Sequence, residues 1–468
     1  MAGYFTIGET KLRPGAYFNV QAKGSGVTPG AVDGVVAILF RAKMGPLGVA
    51  TVISASDDYT KIFGDGGTTD AIREAIYGGA SKIVGVRIGT GGTAGSVELT
   101  AATGKLVVTA KSVGAESYSV TVRAKLTDSS VKEIIFYRGT QQIEIFEFAA
   151  AGDEVAAAVA ACAKSEYFTV TASADPAGAG VITNVSQSAL TGGADPTVAN
   201  AQYSDGLTAL EPYFFNVLAI DTEESSVQAL VQAFLSRIYR NGSFGFSVFA
   251  PAVGLTKAQR NAAAAAFNGE NIVYVINPDV STAYGDLYGY QVAAYFAGLI
   301  AAKPANQSIM HTVIAHYTDL KDRYTPSEIE AAEAAGGLVL EVNSNDQVWT
   351  DNAITTLVTP DADQDDGWKK IRRTKTRYEL LYRGNQAADA LAGKVDNDNN
   401  GRMTIMAAIQ RVGDAMIGEG KLNACTVTPT TKVVTDGDTC GFDIDVIDKD
   451  SAEHIYLIYY FQFSTNVE

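Results

Sequence analysis

Chemistry needs reactive side chains at defined separations, and few sets in this chain qualify. There are 3 histidines, His311, His316 and His454. His311 and His316 fall on opposite faces of a strand and miss the i,i+4 spacing by which a helix offers two imidazoles to one metal. No glutamate follows His311 in the manner of a zinc protease. The 3 cysteines, Cys162, Cys425 and Cys440, are far apart, with no C-x-x-C pair and no neighbouring histidine. That usage fits thiols kept reduced and a fold that does without disulfides. No G-x-S-x-G elbow and no Walker loop occurs. Asn241-Gly242-Ser243-Phe244-Gly245 sets a serine among glycines, but no base can be assigned to it.

Two motifs carry a superficial chemical signature. Residues 89–95, G-T-G-G-T-A-G, satisfy G-x-G-x-x-A. A dinucleotide loop must open directly into a helix so that the pyrophosphate meets the helix N-terminus. Here 96–100 and 105–109 alternate like strands, so the stretch reads as a flexible linker. Residues 396–402, D-N-D-N-N-G-R, match the first six positions of a calcium-binding EF-hand loop, but the twelfth, which should be a bidentate glutamate, is Ala407. The better reading is a polar turn capping a helix over 404–417. No catalytic, cofactor-binding or metal-binding residue is assigned, and the chain is not expected to be an enzyme.

Composition narrows the partners. The chain has 468 residues, 47 % of them hydrophobic, and a formal net charge of −16. The length suggests about three domains at roughly 150 residues each. Such acidity argues against a nucleic-acid or anionic-membrane binder. The longest apolar stretch, 292–302, is too short to span a bilayer, and the opening residues do not read as an export signal. Against this background one basic segment stands out: Lys369, Lys370, Arg372, Arg373, Lys375, Arg377 and Arg383. It directly follows the acidic run Asp361, Asp363, Asp365 and Asp366. Either it is a solvated face paired with that run, or it is a docking surface for an acidic partner.

The elements that would position these residues follow from periodicity. From residue 34 the pattern is β-α-β: apolar runs at 35–40 and 49–54, a helical period at 70–77, and a buried strand at 82–88. Strand–helix alternation resumes at 214–220 and continues to 338–342, implying a mostly parallel sheet with helices on both faces. Asp221 and Glu224 read as a capping box for the helix that follows. Residues 290–303 are apolar all round and imply a helix buried on every side. Between these halves lies a block of short alternating strands, bracketed by glycine-rich stretches. It reads as a β-rich domain inserted into the core. The resulting division is 1–22, an N-terminal arm; 23–95 and 196–345, the two parts of an α/β core; 96–195, the inserted outer domain; 346–440, a C-terminal domain; and 441–468, a C-terminal arm.

Both chain ends invite attention. Near the start, Pro14-Gly15 turns into a short extended piece, Ala16, Tyr17, Phe18 and Val20. Near the end, Ile455, Tyr456, Leu457, Ile458, Tyr459, Tyr460, Phe461 and Phe463 make a run with no polar face. A strand of that kind must be covered on both sides. It either closes its own domain or enters the sheet of a neighbour.

Several passages together resemble the contractile tail sheath protein family of bacteriophages, phage-like particles and R-type bacteriocins. Arg13-Pro14-Gly15-Ala16-Tyr17 is similar to its R-P-G-x-Y opening. Met44-Gly45-Pro46, the Y-T-K-I-F-G of 59–64 and the G-A-S-K-I-V-G-V-R of 79–87 are similar to its early core. Ala297-Gly298-Leu299, Pro304-Ala305-Asn306-Gln307-Ser308, the N-A-I-T-T-L of 352–357, Gly393-Lys394-Val395-Asp396 and Gly401-Arg402 follow in order. The likeness is nearest to sheaths of Gram-positive phage-like particles and spans almost everything except the inserted block.

The resemblance implies an α/β core of subtilisin-like fold without protease function, an inserted β-sandwich domain facing outward, and an α+β C-terminal domain carrying extended terminal arms. It implies a structural subunit, without cofactor, that polymerises helically in stacked hexameric rings around an inner tail tube protein. Contraction would drive the tube through a bacterial envelope. The other implied partners are the baseplate and tail terminator, with neither nucleic acid bound nor a membrane entered. Synthesis and assembly would take place in the bacterial cytoplasm, before incorporation into a virion tail or released particle. Both arms would pair with strands of adjacent subunits, linked by polar segments such as 435–441 that swing. The basic segment would face the tube or another subunit. Competing readings are a secreted surface or adhesin-type protein, and a subtilisin-fold hydrolase, which would need a Ser/His/Asp set.

Overall fold

The computed structural model describes residues 3–4, 17–18, 30–101, 104–173, 180–433 and 435–461. Its centre is a seven-stranded sheet in the spatial order Gly337–Leu338, Ile272–Val275, Phe246–Phe249, Val217–Ile220, Val35–Phe40, Lys82–Arg87, Ala50–Ser54. Every pairing is parallel except that of Ala50–Ser54, which returns antiparallel along one edge. Val35–Phe40 explains its own composition: Val36, Ile38 and Phe40 pack into one hydrophobic layer, while Val35, Ala37 and Leu39 pack into the other. Helices cover both faces, so no position along the strand can be polar.

On the first face lie helices Asp70–Gly78 and Gly289–Ala302, which meet backbone to backbone. A Cβ built on Gly298 would sit 2.0 Å from the Ala75 carbonyl oxygen, and one on Gly78 would sit 2.0 Å from that of Tyr295. Two glycines therefore set the interaxial distance. The second face is covered by Asn200–Leu210 and Ser225–Arg240. The expected capping box at the start of the latter is absent. The helix begins at Ser225 with Glu224 at its N-cap, which makes no side-chain cap bond, and Asp221 serves elsewhere.

Residues 96–189 contain two antiparallel sheets. One has the order Gln141–Ala149, Asp128–Arg138, Tyr118–Lys125, Val185–Ala189; the other Phe168–Ala172, Lys105–Ala110, Ser96–Thr100. Their inner faces share one hydrophobic cluster containing Leu106, Val108, Val120, Ile134, Phe136 and Phe168. The glycine-rich stretch before them is not the flexible linker its composition suggests. Thr90 bridges Thr197, Thr93 bridges Ala194 and Ser96 bridges Thr191, so the entering and leaving chains form a paired ribbon. Beside it Arg87, fully buried, donates to the carbonyls of Ala42 (2.9 Å), Gly45 (2.8 Å) and Val113 (2.8 Å). A buried guanidinium is tolerated when its protons are matched in this way.

After the core, helices Ile371–Asp389 and Asn399–Gly418 precede a two-stranded antiparallel ribbon, Leu422–Pro429 with Phe442–Asp448. Val412, Met416, Leu422, Cys425 and Val427 form the small core beneath it. The second helix starts five residues before the expected 404, because Asp398 caps it and accepts from the Gly401 N–H at 2.8 Å. At the other end of the chain, Gly3–Tyr4 pairs in parallel with Tyr17–Phe18.

Candidate functional site

The crevice where an α/β sheet most often holds a ligand lies beyond the carboxyl ends of its strands, at the point where strand order reverses. Here that point falls between Val35–Phe40 and Val217–Ile220, and the next residues are Arg41 and Asp221. The Asp221 carboxylate is buried. It accepts from the Arg41 N–H (3.1 Å), the Arg41 Nε (2.7 Å), the Thr68 hydroxyl (2.5 Å) and the Tyr203 hydroxyl (2.6 Å). Four donors saturate a carboxylate, so this group ties four segments together. Burial, reinforced by the Asp221 charge, pushes the Tyr203 phenol well above its ordinary value.

The histidines are likewise engaged. His311 stacks on Trp349 at 4.2 Å between ring centroids. His316 Nε2 lies 3.0 Å from the Glu74 carboxylate and stacks on Tyr295. His454 is exposed in the C-terminal stretch. Cys162 and Cys425 are buried and Cys440 is half-buried. No group of three or more His, Cys, Asp or Glu that could hold a metal occurs among the described residues. In the Asp-Asn loop, Asn397 donates to the carbonyls of Gly437 (2.8 Å) and Thr439 (3.0 Å). That loop braces the ribbon's hairpin turn, so residues 435–441 connect two paired strands and are not the hinge of an arm.

The basic segment is drawn inward by several partners. Lys370 pairs with Asp450 (2.7 Å) and Glu453 (3.1 Å), and Arg373 pairs with Asp448 (2.5 Å) and Asp365 (3.0 Å). Lys375 is buried and donates to the carbonyls of Ile300 (2.6 Å) and Lys303, with Asp33 at 3.8 Å. Burial brings its pKa down to about 8. Arg377 reaches Glu270 (2.9 Å) and lies over the Trp368 ring. Arg383 joins Glu379 (2.8 Å) and Glu419 (2.9 Å), and Lys421 binds the same two carboxylates, each at 2.7 Å. Arg372 is buried, and Lys369 is half-buried. Of the acidic run beside this segment, Asp365 contacts it, through Arg373. The other partners come from the core and the C-terminal segments.

The C-terminal stretch is the reverse case. Ile455, Tyr456, Leu457, Ile458, Tyr459, Tyr460 and Phe461 are all exposed, from 68 % at Leu457 to 89 % at Tyr456, and none belongs to a strand. Beside them the ribbon consists of two strands among the described residues, and its outer strand shows Ile444, Val446 and Ile447 to solvent. Residues 442–448 are paired in that ribbon, so the unpaired part begins later than the composition suggests. Ala16, Val20 and Phe463 lie outside the described residues, and for Tyr17 and Phe18 the backbone pairing alone is described. The sequence did not assign Arg87 or Asp221 the buried hydrogen-bonding roles they have here. Their signal was a charge closing a continuous apolar strand.

Comparison with known proteins adds a family-model match over part of the chain and a fold. Residues 197–356 match the family model of the phage tail sheath protein central domain. A sheath tail protein from Desulfitobacterium hafniense superposes with a TM-score of 0.72 at 20 % identity, covering 93 % of this chain and 100 % of that one. A sheath tail protein from Listeria innocua gives 0.67 at 19 %, covering 90 % and 96 %. The contracted helical sheath of the anti-feeding prophage gives 0.54 at 12 %, covering 98 % and 100 %. No curated protein sequence matches the chain.

Proposed function

We propose that this chain, a phage tail sheath protein by its central domain and a structural subunit of a contractile sheath, completes its fold only in a polymer. The observation that carries this reading is the exposed run 455–461 next to a ribbon with open edges. Burying each large side chain gains about 1.5–3 kcal/mol, while ordering each residue costs about 1–2 kcal/mol. A strand of this composition is therefore close to neutral until a sheet edge supplies main-chain hydrogen bonds. The ribbon rests one face on helix Asn399–Gly418 but leaves Ile444, Val446 and Ile447 of its outer strand exposed, and a third strand would cover them and pair its edge. The arm of one copy and the ribbon of another meet both needs.

Such a contact is head-to-tail and does not close on itself, so it propagates as a helix. Main-chain pairing persists while the donor domain reorients, which suits a polymer that shortens without coming apart. On this reading the core is subtilisin-like in architecture and the paired domain of 96–195 faces outward. The N-terminal piece around Tyr17 and Phe18 serves as a second arm. The other partners are an inner tube, a baseplate and a terminator, and contraction drives the tube through a bacterial envelope. Whatever part of the basic segment meets the tube or a neighbour must come from its less buried members, such as Lys369.

Deleting residues 454–468 tests the reading while keeping the ribbon. The expected product is a folded, soluble subunit that forms no tubes by negative-stain microscopy. Normal tubes from the deleted chain would refute the arm's role.

A further inference from the structure

The arm is free, but its root is not. Lys449 N–H donates to the Lys421 carbonyl (3.2 Å), and the Asn423 side chain donates to the Asp448 carbonyl (3.1 Å). Lys370 and Arg373, at the start of helix Ile371–Asp389, then hold Asp448, Asp450 and Glu453. These contacts end at Glu453, and the exposed run begins directly after it. Two cations face four carboxylates here, because Asp365 also binds Arg373.

We propose that Lys370 and Arg373 form an ionic clamp that fixes the direction in which the arm leaves the subunit, with the pivot at Glu453–His454. The proposal rests on the polymer reading above and adds how the arm is presented. An arm loose from residue 449 samples a wide cone and meets a neighbour's ribbon at low effective concentration. A clamped root restricts that cone before binding and so lowers the ordering cost of capture. In a chain of net charge −16, the same two cations offset the carboxylates that would otherwise repel an incoming acidic copy. Because the pairs are partly exposed, salt screens them.

The test compares the full chain with K370A/R373A and with the charge-exchanged K370E/D450K. Two readouts are used: amide hydrogen exchange at 449–453, and the rate of tube formation by light scattering. K370A/R373A should exchange about tenfold faster at 449–453 and nucleate tubes about tenfold more slowly. K370E/D450K should recover most of both. Raising salt from ~0.05 to ~1 M should move the unmodified chain toward the K370A/R373A behaviour at the root. Unchanged exchange in K370A/R373A would overturn the clamp, and so would wild-type nucleation despite a loosened root. If the unmodified chain forms no tubes at any salt, the polymer reading fails, and the exchange data alone then uphold or reject the clamp.

Discussion

Two segments of similar length and composition have opposite fates. Val35–Phe40, V-V-A-I-L-F, is no more than 4 % exposed at any position, whereas I-Y-L-I-Y-Y-F at 455–461 is at least 68 % exposed throughout. Both are apolar on two faces, and both obey the rule that such a strand needs two covers. The first finds them in the helices of its own chain. The second finds none among the described residues. Apolar patterning therefore reports the need for a partner surface without reporting which molecule supplies it.

Substitutions that separate the two segments should produce the largest effect. Ile38→Asp places a charge in the sheet centre and should leave no folded protein, and Ile38→Ala should cost ~2–5 kcal/mol in denaturant titration. Ile458→Asp together with Tyr460→Asp should leave the subunit's melting temperature unchanged and abolish tube formation. A fall in melting temperature from the arm pair would show that the run is covered within its own subunit.

The contact behind the core strand gives the next test. Gly298→Ala drives a methyl group against the Ala75 carbonyl, so the helices must separate, at a cost of ~1–3 kcal/mol or more. A neutral result would mean that the helix pair is looser than the glycines imply.

Lys375 sharpens the comparison through pH. Its folded pKa of about 8 lies below the ordinary lysine value of 10.5, so the charged form costs stability below pH 8. That cost is relieved as pH rises from 8 toward 10.5. Relative to K375M, the unmodified chain should gain up to ~3 kcal/mol over this window by chemical denaturation. Parallel curves for the two proteins would discount the desolvation.

The smallest effect should come from the Asp-Asn loop. Asp398→Ala removes a helix cap and should cost ~1 kcal/mol. Added calcium or chelator should shift neither protein's melting temperature. A calcium-dependent shift would restore the metal-loop reading.

Much of the architecture was legible in the sequence. The parallel core strands and the apolar helix expected over 290–303, found at 289–302, follow from local pattern, since burial on two faces leaves a direct mark. Asp221 shows where this approach stops. Its position three residues before Glu224 suggested a cap, but donors from Arg41 and Thr68, 180 and 153 residues away, compete for the same carboxylate and hold it. The glycine-rich stretch 89–95 misled for a related reason: its composition permits flexibility, and pairing with 191–197 removes it.

The sequence by itself determined which segments are strands and helices and which must be covered, because side-chain period and hydrophobicity are local properties. It also marked 455–463 as an apolar run that needs cover on both sides. Only the tertiary structure decided where the charges go. Lys370 can reach any carboxylate within a few ångströms, and Asp450, 80 residues away, is brought there by chain closure rather than by spacing. Within a basic segment that reads either as a solvated face or as a docking surface, Lys370 and Arg373 are thus drawn to Asp448, Asp450 and Glu453, just before the exposed run.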